Sequence, residues 1–295
     1  MMPSEHEMPR RRRVPDGLEA LDDGLSIGPW RLVRRVASTA ESDAYLADRT
    51  LDDGVVQGIV HLLRGGAPSE DRLARFWHAC GRVNTLDSEG RARLLGSGVT
   101  TDGAPYIASE VVTGDPLAAW CEERGATLRE RVELLLGACD VLGAAHAKGI
   151  AHGSLRSDTV CVVASGGVVV RDLGVGHVAA SWRDGETPTP IDDVHALGAL
   201  LLELLPRPGS PGLDLYRAGS RAALDAEARL GLEGGLDAVV HRALRPSHRA
   251  PYPAASALAE DLRRWLGGLP VLVDFRPGEL RRHSPMRASG SMTDS

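Results

Sequence analysis

Two linked stretches decide the fold: Ala145-His-Ala-Lys-Gly-Ile-Ala-His152-Gly-Ser-Leu-Arg-Ser-Asp-Thr159 and, shortly after it, Asp172-Leu-Gly174. Between them, Val160 to Val163 and Val168 to Arg171 flank Gly166-Gly167 and read as a small hairpin, because glycine supplies the positive φ that a tight turn needs. Upstream, Thr127 and Glu130 form a Thr-x-x-Glu capping box. It opens a helix with Val132, Leu135, Leu136, Cys139 and Leu142 on one face. Downstream, Ile191 to Leu205 is nearly all apolar, which predicts a central, buried helix. The stripes Leu236, Val239, Val240, Ala243, Leu244 and Leu258, Leu262, Trp265, Leu266 predict two more helices.

Toward the N-terminus the character changes. Up to about residue 112 the signals are mostly those of strands. Gln57 to Leu63 is a short apolar stretch, and Arg91 to Val99 and Ala104 to Val112 flank the turn dipeptide Asp102-Gly103. One helix, about 69 to 86, interrupts them. A strand-rich first third before a helical remainder is the pattern of a two-lobed α+β protein. The boundaries predicted are a small β-rich lobe over 27–112 and a larger helical lobe over 113–272. Residues 1–26, with Arg10 to Arg13 and three prolines, read as a disordered basic tail, and 273–295 as a flexible polar tail.

Composition excludes several classes. Hydrophobic residues make up 43% of 295, enough for a sizeable core, but with only two Phe it must be built from Leu, Val and Ala. A net charge of -6 argues against nucleic acid as the partner. Cys80, Cys121, Cys139 and Cys161 are dispersed without CxxC or zinc spacing, so they read as reduced, buried thiols. No apolar run approaches the ~18 residues of a membrane span. The N-terminal Arg run has no apolar core behind it, and a cytoplasmic location is expected.

Several stretches resemble bacterial serine/threonine protein kinases, in the order in which that family carries them. Ile27-Gly-Pro-Trp-Arg-Leu is similar to the entry into the first strand. Gly98 to Glu110 is similar to the hairpin leading to the hinge, and Ala145 to His152 to the approach to the catalytic loop. Asp172-Leu-Gly174 resembles the metal-binding D-F-G, and Asp193-Val-His-Ala-Leu-Gly198 the start of the central helix. Leu236 to Leu244 and Ser256 to Trp265 resemble the last helices. The resemblance implies a two-lobed kinase-like fold over about 27 to 272.

The same resemblance assigns chemical positions, and most hold the wrong residue for phosphoryl transfer. The glycine-rich loop, Val36 to Tyr45, has Ala37, Thr39 and Ser42 at its glycine positions, with Glu41 and Asp43 adding negative charge. The phosphate-binding lysine falls at His61, the adenine-packing alanine at Ile59, and the helix glutamate that pairs with the lysine at Ala79. The catalytic aspartate falls at Ser154 and the metal-binding asparagine at Thr159, with Asp158 beside it as a substitute carboxylate. Gly153 stands where an arginine would read an activation-loop phosphate. Asp172 survives as a candidate magnesium ligand, with a local capping or turning role as its alternative.

Only 21 positions separate Asp172 from Asp193, no A-P-E precedes Asp193, and Pro251 stands where that glutamate's arginine would be. Structural positions persist: His152, Leu173 and Asp193 match the ties between catalytic loop and central helix, and Val83 and Leu94 are apolar in the small lobe. The expectation is a catalytically inactive kinase-like domain, a pseudokinase. It would act by binding a protein, an active kinase among the candidates, with no cofactor. The alternative is an atypical serine/threonine kinase with residual binding of ATP and Mg. Thr187-Pro-Thr-Pro190 is an accessible, rigid stretch, which makes Thr187 and Thr189 candidate phosphorylation sites.

Overall fold

A computed structural model describes residues 25–65, 68–87, 89–183, 185–205, 235–244 and 251–272. The basic tail apart from Leu25 and Ser26, and the tail from 273, lie outside the described residues.

The small lobe is a six-stranded antiparallel sheet of order β1-β2-β3-β4-β6-β5. Its strands are β1 (Ser26–Ile27), β2 (Trp30–Ser38), β3 (Ser42–Leu51), β4 (Gly54–Leu63), β5 (Leu94–Val99) and β6 (Pro105–Glu110). The Asp102-Gly103 turn joins β5 to β6 as expected, with Thr100 N–H donating to the Ala104 carbonyl at 2.8 Å. Side chains alternate between the faces of β4. Val60 turns outward onto Trp30, Ala47, Tyr106 and Ala108, whereas Leu63 belongs to the core shared with the other lobe. The helix α1 (Glu70–Asn84) starts at the N-cap Ser69 and buries Phe76, Ala79, Cys80 and Val83.

The large lobe begins with β7 (Gly114–Pro116) and α2 (Leu117–Glu123), then α3 (Leu128–Ala147), opened by the Thr127/Glu130 capping box. A 3-10 turn at Ser157–Thr159 leads to the hairpin β8 (Val160–Val163) and β9 (Val168–Val170), which pairs with β7. Next come α4 (Val175–Arg183) and α5 (Pro190–Leu204). The helices α6 (Leu236–Leu244) and α7 (Ala255–Leu266) complete the described lobe. The apolar helix α5 is central as expected, with α2, α3, α6 and α7 packed around it. One core runs from Leu63 and Ile107 in the sheet, through Phe76 and Val83 of α1, to α3, α5 and α7. This is the two-lobed kinase-like α+β fold.

One expected stretch changes in extent: the strand expected from Arg91 starts at Leu94, and Arg91 only bridges to Val170. The chain after Asp172-Leu-Gly174, to which the sequence assigned no element, forms the helix α4, with Val178, Ala179 and Trp182 buried. The register Ala250-Pro-Tyr-Pro253 begins outside the described residues; Tyr252 within it is buried and donates to Asp261 Oδ2 at 2.6 Å.

Candidate functional site

The site lies where β4, α1, the loop at His152 and the turn after β9 meet. Its frame is a buried aspartate. Asp193, in the first turn of α5, accepts from the backbone N–H of His152 (2.6 Å) and of Gly153 (2.9 Å), and from His146 Nε2 (2.9 Å). The Ala255 N–H donates to His146 Nδ1 at 3.1 Å, so the ring's proton is on Nε2, toward the carboxylate. His152 is set the same way: Ser154 N–H donates to Nδ1 (3.3 Å) while Nε2–H donates to the Arg171 carbonyl (2.8 Å). Burial pushes the Asp193 carboxyl up, but His146, His152 and the two backbone N–H groups outweigh it and hold it below the usual range.

Glycine at 153 is a geometric need. It has φ +77, and a Cβ there would stand 2.5 Å from Pro188. An arginine would displace the chain that approaches α5.

The second aspartate is Asp172. It adopts φ +56, a left-handed conformation that costs a non-glycine residue energy and persists only where contacts hold it. The contact is His61 on β4, whose Nε2 lies 3.1 Å from Asp172 Oδ1. Burial raises the Asp172 pKa, but His61, by charge and hydrogen bond, with His152 and Arg171 behind it, brings it down to about 2. Gly174 completes the turn at φ +88, where a Cβ would meet Val83 of α1 at 2.6 Å.

The remaining assigned residues fall around this pair. Ala79 is buried on α1. Ile59 is half-buried on the His61 side of β4 and pairs with Leu46 and Ser109, whose buried hydroxyl has no partner among the described residues. Thr159 is buried, and its hydroxyl closes the turn that follows His152: it donates to the Arg156 carbonyl (2.8 Å) and accepts from the Arg156 N–H (2.9 Å). Asp158 beside it faces outward and is paired with Arg156 at 3.1 Å. Ser154 is half-buried one residue beyond Gly153.

The loop joining β2 to β3 closes on itself. Thr39 Oγ1 accepts from the N–H of Glu41 and of Ser42, both at 3.1 Å, and donates to the Ser42 carbonyl at 3.2 Å. Ala37 pairs with Ala44 in the sheet. The negative charge expected at this loop is balanced within the protein. Arg64 binds Asp43 through Nε (3.0 Å) and Nη2 (2.7 Å), and Arg183 of α4 approaches Glu41 at 3.5 Å.

The serine/threonine-protein kinase Pkn1 of Myxococcus xanthus is 30% identical over 256 residues, which cover 80% of this chain and 35% of that protein. The chain is a bacterial serine/threonine protein kinase-like domain. PknB of Mycobacterium tuberculosis is 28% identical over 223 residues, 64% of the chain and 36% of its own length. The probable kinase PknB of Bifidobacterium longum is 23% identical over 256 residues, 74% and 37% respectively. The kinase-like domain therefore spans little more than a third of these relatives. No protein-family model matches it.

In this kinase-like domain α4 ties the lobes together beside the site. Trp182 Nε1–H donates to the Gly65 carbonyl at 2.7 Å, just past β4, and Arg75 Nε on α1 donates to the Ser181 carbonyl at 3.2 Å. Beyond α4, Thr187 and Thr189 are exposed, but only Thr187 keeps a hydroxyl unspent by a cap. Thr189 N-caps α5, donating to Asp192 Oδ2 at 2.7 Å. Two features escape the sequence reading: α4 itself, and the His61–Asp172 contact. The one signal for α4 was the spacing of Val175, Val178, Ala179 and Trp182, which is helical. No helix among the described residues is long and apolar enough to cross a membrane.

Proposed function

We propose that this kinase-like domain is a pseudokinase: it transfers no phosphate and acts by binding another protein in a signalling system. The observation that carries the reading is the His61–Asp172 pair. The carboxylate assigned to magnesium is bonded, at 3.1 Å, to the residue standing in the lysine position. Magnesium asks for near-octahedral oxygen ligands completed by substrate phosphates. Here Asp172 already has a partner, and Thr159 spends its hydroxyl on Arg156. Ser154 brings no carboxylate to accept a proton from a substrate hydroxyl. Thr39, at a glycine position, takes two loop N–H groups that a phosphate would need. These observations support a domain that needs neither ATP nor Mg.

A protein partner, an active kinase being one candidate, fits a retained scaffold whose chemical positions are spent elsewhere. The competing reading is an atypical serine/threonine kinase with residual ATP binding. It draws on the kinases the domain resembles and on the persistence of Asp172. A thermal shift with ATP and magnesium separates the two. Ligand at a hundred times its Kd adds about 2.7 kcal/mol of stability, and the proposal expects no shift. Labelled phosphate incorporated by the purified domain, and lost in Asp172→Ala, establishes the competing reading instead.

A further inference from the structure

The sheet of the small lobe has an edge that is only partly covered. β2 runs for nine residues, but β1 beside it has two. Their register is antiparallel, with Ile27 on Trp30 and Ser26 on Arg31. One bond lies beyond β1: Leu32 N–H donates to the Leu25 carbonyl at 2.8 Å. The chain at Leu25 is therefore still on the ladder. Along residues 33–38 the same edge of β2 has no strand beside it among the described residues. Unpaired N–H and C=O groups on a sheet edge are a template for another strand.

This edge is cationic and irregular. Arg31, Arg34 and Arg35 lie along β2. Arg31 is paired with Asp48 at 3.2 Å, whereas the half-buried Arg34 has no ion pair among the described residues. Register shifts at Val33 and at Val36 interrupt the pairing with β3, and Val33 is 39% exposed. Bulges and like charges keep a neutral or basic strand off an edge. To an acidic strand the same arginines are attractive, because opposite charges across a strand pair stabilise it.

The residues just before Leu25 are Leu21-Asp-Asp-Gly24. Continuing the register of β1 sets Asp23 opposite Arg34 and Asp22 opposite Arg35. Skipping the bulged Val33 moves Asp23 onto Arg35, so it meets an arginine by either count. We infer that residues 21–24 dock on the free edge of β2 as a continuation of β1, held by the carboxylates of Asp22 and Asp23 against Arg34 and Arg35. The segment is continuous with a strand already in place, so little loop-closure entropy opposes it. The small lobe thereby supplies the occupant of its own edge, and a partner protein that adds a strand there must first displace it. The inference is independent of whether the domain transfers phosphate.

Hydrogen exchange of the full chain, followed residue by residue by NMR, is the test. Slow exchange is expected at those amides of residues 33–38 that point away from β3. In the double variant Asp22→Lys/Asp23→Lys the same amides should exchange about tenfold faster. The amides of β3 and β4 are the internal control, since unchanged protection there shows that the variant is folded. Should the double variant unfold, Asp23→Asn is read in its place, with faster exchange again expected. Fast exchange at the edge amides of the parent, or equal rates in parent and folded variant, overturns the inference. Protection that falls on dilution overturns it too, because it assigns the added strand to a second copy of the chain.

Discussion

Asp193 and Asp172 each face a histidine, yet their surroundings differ. Asp193 is 1% exposed and accepts from an imidazole and two backbone N–H groups. Both histidines near it are fixed as single tautomers by a backbone N–H on Nδ1. The side chain of Asp172 keeps 23% of its surface exposed and is bonded to one imidazole from the other lobe. The first constellation is fully satisfied within one lobe. The second rests on a single contact between the lobes. The difference separates a frame that holds the loop in place from a pair on which the proposed loss of nucleotide chemistry turns.

The comparison can be broken at its strong end. Asp193→Ala removes the acceptor of three donors, two of them buried, and should cost about 3–5 kcal/mol, as when one member of a buried pair is lost. Denaturant unfolding reads this directly, and a cost under about 1 kcal/mol would mean that the frame around His152 is held by packing alone.

It can be sharpened at the weaker pair. A double-mutant cycle of His61→Gln and Asp172→Asn should give a coupling of about 1–2 kcal/mol. Its pH dependence has a definite sign. The Asp172 carboxyl lies at about 2 when folded, against about 3.9 unfolded. Its stabilisation is therefore complete above the unfolded value and lost as pH falls toward the folded one. Parent and Asp172→Asn should converge in stability across that acid range, and a constant difference would remove the charge from the explanation.

The smallest effects come from single hydroxyls on either side of the comparison. Thr189→Ala removes the N-cap of the helix that carries Asp193 and should cost about 1 kcal/mol. Thr39→Ala, in the loop between β2 and β3, should cost about 0.5–1 kcal/mol. Equal melting temperatures for parent and Thr189→Ala would mean that the cap is replaced by water.

Much of this architecture was legible in the chain. The capping box at Thr127, the apolar run of α5, the Asp102-Gly103 turn and the hairpin around Gly166 are local signals, and local physics fixed them. The assignment of His61, Ser154 and Thr159 to chemical positions came from motif order. What His61 and Thr159 contact was hidden, because the His61 contact joins groups 111 residues apart. Thr159 was read from motif order as the position of a metal-binding asparagine, and motif order carries no sign that its hydroxyl closes a turn onto Arg156. The helix α4 escaped because nine residues containing a glycine make a marginal helix, and its support is tertiary: Trp182 on Gly65 and its flank on α1. Glu41 and Asp43 were read as added negative charge at the loop, and the cations that balance it, Arg64 and Arg183, could be placed beside them only by the fold.

The strap formed by α4 has a thermodynamic consequence. Two lobes joined by the chain after β6 alone could open independently, each with its own melting step. Here the indole of Trp182, the guanidinium of Arg75 and the shared apolar core add a second junction, far in sequence from the first. Exposing that junction to water uncovers surface from both lobes at once, which links their unfolding into one cooperative unit. A domain built this way reports a change in one lobe through the stability of the other.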